Sequence, residues 1–188
     1  MSATTPAGRV LNEQPEDSPT AADHAADPLA VAREIALRQL TVRARSRAEL
    51  ARALSRKGVP EETARQVLDR LTDVGLIDDA AFAREWLAAG GRRQRSRRVL
   101  ISELGEKGVD REIIDEAVAE LDGDHDYAVA RGYAERKAAS LARLEPQVRY
   151  RRLTGALARR GFPSSVVAQV AREVLADLDL LDGGEQEV

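Results

Sequence analysis

The sequence has no cysteine among its 188 residues. This excludes a disulfide framework, a thiolate nucleophile and a sulfur-ligated metal. Histidine occurs only at His24 and His125, so a zinc site would depend almost wholly on carboxylates. Aromatics make up 3% of the chain, and runs of β-branched and aromatic residues, the mark of strands, are scarce. No apolar run approaches the roughly 20 residues of a membrane span. The N-terminus has no basic-then-apolar leader, and a cytoplasmic, soluble protein is expected. There is no glycine-rich phosphate loop ending in Lys-Ser/Thr, so ATP hydrolysis by this chain is not expected. No Ser–His–acid set stands out, and Asp78-Asp79 reads as a helix cap rather than an acid–base pair. The expectation is a non-enzymatic protein with no cofactor and no metal.

Ala, Leu, Arg and Glu are abundant, a composition of good helix formers with 32% charged residues. The formal net charge of −3 hides an asymmetry. Residues 1–28 sum to −4 and residues 176–188 to −5, which leaves +6 on residues 29–175. A basic body between acidic ends fits a polyanionic or acidic partner as well as a solvated surface. Residues 1–26 are rich in Pro, Thr, Ala and Asp and poor in large apolar side chains. They are expected to be disordered, as is the acidic end over 182–188.

The most informative feature is an internal repeat. Leu50, Leu54, Lys57, Gly58 and Val59 align without gaps with Leu100, Leu104, Lys107, Gly108 and Val109. They align again with Leu153, Leu157, Arg160, Gly161 and Phe162. After each glycine, apolar residues recur at spacings of three and four, on one helical face. Each copy therefore holds a helix, a glycine turn and a second helix. The base before each glycine suits the negative end of a helix dipole, and glycine accepts the left-handed cap conformation.

A further helix precedes each pair, over about 28–43, 80–89 and 126–144. The second of these is expected to end at Gly90-Gly91. Asp27-Pro28 opens the first helix, and Ser46 with Glu49 forms a capping box for the next. The resulting organisation is all-α: three tandem three-helix-bundle repeats over 27–77, 78–123 and 124–181. Phe82, Trp86 and Tyr127 are expected as core anchors, and His125 as a solvated linker residue.

Four stretches, in order, resemble the RecX family of recombination regulators from Ala36 to about Leu175. The first carries Ala36, Leu37, Leu40, Arg43, Arg45, Ser46, Glu49 and Leu50, followed by Lys57-Gly58. The second runs Gly75-Leu76-Ile77-Asp78-Asp79 with Phe82 and Ala83. The third is Glu103-Leu104 with Lys107-Gly108-Val109. The last is Arg159-Arg160-Gly161-Phe162. The segment 90–98 departs from the family pattern in its density of arginine.

The resemblance implies helix-turn-helix-like bundles in an elongated, curved array. It implies a regulator that binds RecA recombinase filaments on single-stranded DNA and suppresses their ATPase, strand-exchange and coprotease activities. Homologous recombination, DNA repair and the SOS response are the processes so implied. A monomer without membrane contact is expected.

The distinctive chemistry is arginine, whose planar fork of donors matches carboxylate and phosphate. Arg43, Arg45, Arg47 and Arg52 surround the entry to the second helix of the first repeat. Arg92, Arg93, Arg95, Arg97 and Arg98 crowd the equivalent entry in the second, and Arg149, Arg151 and Arg152 that in the third. All twelve are expected to precede or open a helix and to contact RecA or, weakly, DNA. The alternative is a stand-alone DNA-binding protein. Against it, the third helices carry Glu61, Glu62, Glu112 and Asp115, which would meet phosphates poorly.

Overall fold

The computed structural model describes residues 27–184, with side chains through residue 180. The acidic segment 1–26 lies outside the described residues. Nine α-helices and no strand occur among the described residues. They fall into three groups, each with its own buried apolar cluster.

The first group is α1 (Pro28–Val42), α2 (Arg47–Arg56) and α3 (Glu61–Asp73). Asp27 accepts from the Leu29 amide and Pro28 fills the first helical position. Ser46 and Glu49 form the expected reciprocal capping box on α2. Ala32, Ala36, Leu50, Leu54, Val67, Leu68 and Leu71 close the core. The alanines let α1 approach its neighbours closely, and the leucines of α2 and α3 supply the apolar area.

The second group is α4 (Asp79–Arg92), α5 (Arg97–Glu106) and α6 (Arg111–Ala119). Leu87, Leu100 and Leu104 are fully enclosed, and Phe82, in the same core, stacks with half-buried Trp86. The third group is α7 (His125–Ala138), α8 (Pro146–Arg159) and α9 (Ser164–Gly184), with a short 3-10 turn at Ala139–Leu141. Its core pairs Ala130 and Ala134 with Leu153, Leu157, Val170 and Val174. Gly58, Gly108 and Gly161 adopt φ of 76°, 77° and 81° at the turn after the second helix of each group. This is the left-handed geometry expected of those caps.

Several local expectations are corrected. The helix α4 does not end at Gly90-Gly91 but continues to Arg92. Gly90 is buried within it, because a Cβ there would sit inside the Leu100 side chain. The reversal falls instead on Gln94, which takes the left-handed conformation at φ 57°. The expected helix 126–144 stops at Ala138 and tightens into the 3-10 turn before Pro146. Pro146 opens α8 early, so Arg149, Arg151 and Arg152 lie within a helix rather than before it. Arg52 likewise lies inside α2, whereas Arg47 is the first residue of α2 and Arg97 and Arg98 are the first two of α5. His125 is half-buried against α4 near Gly91, with its Nε2 enclosed and unpartnered. The helix α9 runs to Gly184, past the expected end of order at 181, since no breaker precedes its Gly183-Gly184 pair; residues 185–188 lie outside the described residues.

Candidate partner-binding interface

Ser46 and Ser96 stand four residues before Leu50 and Leu100, and both are fully buried polar residues. Each caps a helix and also faces the following repeat. At the first junction the Ser46 Oγ accepts from the Glu49 amide at 3.1 Å and donates to the Lys107 carbonyl at 2.7 Å. Arg52 donates to the carbonyls of Glu106 and Lys107 at 3.1 and 3.0 Å, satisfying the exposed end of α5. The Lys107 ammonium lies 3.2 Å from Glu49 and 4.1 Å from the Trp86 ring centroid. The position is thus both an ion pair and a cation–π contact. Asp79, on α4, accepts from the first amide of α2, Arg47, at 2.8 Å. A carboxylate there answers the positive end of the helix dipole.

The second junction repeats this plan with different side chains. The Arg160 carbonyl accepts from the Ser96 amide at 3.4 Å. The Arg160 guanidinium donates to the carbonyls of Arg93 and Gln94, both at 3.2 Å, and stacks 4.2 Å from the Tyr133 ring centroid. Asp126 accepts from the first amide of α5, Arg97, at 2.7 Å. In both cases the basic-glycine turn of one repeat seats on the capped helix of the repeat before it.

The series stops at the third repeat. The position of Ser46 and Ser96 is there Arg149, buried inside α8 and paired at 2.7 Å with Asp179 of α9. The third repeat therefore has no serine-capped seat of this kind.

Charge states follow from this packing. Burial raises the Glu49 carboxyl, but hydrogen bonds and charge from Arg43 and Lys107 prevail and hold it at about 2. Asp79 is pushed above its ordinary value by burial, against the lowering effect of the Arg47 amide.

The arginines singled out in the sequence divide into two kinds. Arg43 pairs with Glu49, Arg47 with Asp69, Arg95 with Glu103 and Arg149 with Asp179. Arg52 bonds backbone carbonyls of the next repeat, Arg97 bonds the Asp122 carbonyl of its own repeat, and half-buried Arg45 reaches the Gln39 carbonyl at 3.4 Å. By contrast Arg92, Arg93, Arg98, Arg151 and Arg152 are exposed. Their side chains have no hydrogen bond or ion pair among the described residues. Arg98 and Arg151 occupy the same position of successive repeats, two residues before Leu100 and Leu153.

Composition alone does not reveal the junction residues Ser46, Ser96, Asp79, Asp126, Lys107 and Arg160. Their signal was the repeat alignment, in which serine precedes the first leucine twice and arginine replaces it in the third copy. The described residues contain no group of three His, Asp or Glu placed to hold a metal ion. No helix among them is long and apolar enough to cross a membrane.

Three family models match in succession: the first three-helix domain of RecX over residues 32–71, the second over 78–118 and the third over 124–171. The regulatory protein RecX of Streptomyces coelicolor is 41% identical over 152 residues, covering 80% of this chain and 81% of the relative. That of Mycolicibacterium smegmatis is 42% identical over 183 residues, covering 89% and 93%. The crystal structure of RecX from Lactobacillus salivarius superposes with a TM-score of 0.70 at 20% identity, over 79% of this chain and 97% of that one. With its three-helix units in the same order and at this level of identity, the chain belongs to the RecX family of regulatory proteins.

Proposed function

We propose that the chain binds RecA filaments on single-stranded DNA and inhibits their ATPase, strand-exchange and coprotease activities. It acts as a cytoplasmic monomer, without cofactor and without chemistry of its own. Family membership supports this reading. The observation that carries it is the division of the arginines. Seven of the twelve are engaged by other groups of the chain, six within their own repeat and Arg52 across a junction, whereas Arg92, Arg93, Arg98, Arg151 and Arg152 are exposed, with no pairing among the described residues. Those five are the contacts available to an acidic protein surface or to phosphate.

The test is ATP hydrolysis by filaments on single-stranded DNA, titrated with the parent and with a variant carrying all five arginines as alanine, at two salt concentrations. A single exposed pair contributes only about 0.2–1 kcal/mol, so the five are replaced together. The variant inhibits more weakly and with a flatter salt dependence, at unchanged helix content. Equal inhibition by variant and parent refutes the assignment of these arginines. A parent that fails to inhibit its own organism's recombinase refutes the regulator reading and favours the DNA-binding alternative.

A further inference from the structure

The two junctions between repeats set a base over an aromatic ring in the same way, but they balance its charge differently. At the first, Lys107 lies over the Trp86 ring and 3.2 Å from Glu49, and the Trp86 Nε1 donates to Glu103 at 2.9 Å. At the second, Arg160 lies 4.2 Å from the Tyr133 ring centroid. In the repeat alignment Val99 stands where Glu49 does, and Ala156 where Glu103 does. Both carboxylates of the first junction are thus apolar residues at the second.

The second junction also gathers more positive charge. Among the described residues Arg160 donates to the carbonyls of Arg93 and Gln94, at 3.2 Å each, and to no carboxylate. The side-chain oxygen of Gln94 accepts from the exposed Arg136. Gln94 therefore holds two guanidinium groups, one from α7 and one from the end of α8, against the α4–α5 turn. Neutral oxygens satisfy their hydrogen bonds but leave their charge uncompensated. Exposed Arg92 and Arg93 adjoin them, while Glu103 is taken by Arg95. Like charges this close raise the local potential, and a bound anion lowers it.

No exposed large apolar side chain lies on the α4–α5 turn or on α7 among the described residues. A protein interface is built on an apolar core, whereas a phosphate backbone is held almost wholly by charge. Guanidinium forks from three elements suit phosphate oxygens. The cluster uses none of the third helices, whose acids would repel phosphate.

We propose that the second junction binds the phosphodiester backbone of nucleic acid, without regard to base sequence, through Arg93, Arg136 and Arg160, with Arg92 beside them. The site is complete only when the second and third repeats are seated on each other, since Arg93 belongs to one and Arg136 and Arg160 to the other. It does not rest on which protein the chain regulates.

The test is fluorescence anisotropy of a labelled oligothymidine titrated with the full chain over a series of salt concentrations, with no recombinase present. A duplex is run alongside, and binding of either form at this site supports the proposal. For a single strand each phosphate contact contributes about 0.7 to the slope of log affinity against log salt. Arg136→Ala reduces the slope by about that amount. Val99→Glu reduces it similarly without removing a cation, because it gives Arg160 the carboxylate that Glu49 gives Lys107. The fold accepts this change, since Ser96 already caps the amide of residue 99 and a glutamate there completes the capping box seen at Ser46 and Glu49. Arg151→Ala with Arg152→Ala removes exposed charge from the third repeat alone and leaves the slope unchanged. A parent that does not bind overturns the proposal, as does binding unaltered by Arg136→Ala and Val99→Glu, or weakened equally by the Arg151 and Arg152 pair. Preference for polyglutamate over the oligonucleotide also overturns it and assigns the cluster to an acidic protein. Neither Arg136 nor Val99 belongs to the five residues replaced in the inhibition assay, so the two readings fail separately.

Discussion

Gly58 and Gly108 offer a matched test of how the repeats are joined. Their φ angles are 76° and 77°, so alanine meets the same backbone strain at either site, about 1–2 kcal/mol. Their surroundings differ. A Cβ at Gly58 meets nothing within 4 Å among the described residues. A Cβ at Gly108 would lie 2.5 Å from the Ala48 Cβ, across the junction between the first and second repeats. Neither methyl can rotate away, so the two repeats must separate. Overpacking of this kind adds about 1–3 kcal/mol. Separation also strains the Ser46 and Arg52 bonds to the Lys107 carbonyl, at 2.7 and 3.0 Å. Gly58→Ala should therefore destabilise by about 1–2 kcal/mol and Gly108→Ala by about 2–5 kcal/mol. The assay is chemical denaturation of the full chain followed by helical circular dichroism. Adding Ala48→Gly to Gly108→Ala removes the opposing methyl. The pair should then be less unstable than the sum of the two single changes. Equal losses at Gly58 and Gly108, or strict additivity with Ala48→Gly, would refute the junction geometry.

Leu104 is wholly buried at the centre of the second repeat, and Leu104→Ala should cost about 2–5 kcal/mol. A denaturation midpoint equal to the parent's would show that the helical faces are misaligned. Because Glu49 is held at about 2 in the folded chain, its pairing with Arg43 and Lys107 stabilises at pH values above the ordinary carboxylate range. That contribution is lost as pH falls from the ordinary range towards 2. Glu49→Gln should remove this part of the acid sensitivity, as read from stability measured against pH. X-ray scattering checks the linear order of the repeats. A compact body of this size would have a radius of gyration near 15 Å, and three bundles in a row should exceed it.

Capping and turn signals act within a few residues, and for that reason the sequence by itself determined where most helices begin and end. Ser46 with Glu49, Asp27 with Pro28, and the basic-glycine pairs at 57–58, 107–108 and 160–161 each satisfy helix-end groups in their own neighbourhood. The repeat length and the spacing of leucines likewise defined three all-helical units, because each core is built within its own stretch of chain. Only the tertiary structure decided which glycines end a helix and which allow a close approach. Gly90 resembles a stop signal locally, yet it is kept by Leu100, ten residues away. The arginines were legible as clusters but not as roles. Arg52 and Arg98 are alike as residues, and what separates them is a carbonyl or carboxylate brought from a distant part of the chain. Arg52 meets the carbonyl of Lys107, 55 residues on, while Arg98 meets none among the described residues. Such pairings depend on how one repeat seats on another, which no local pattern encodes.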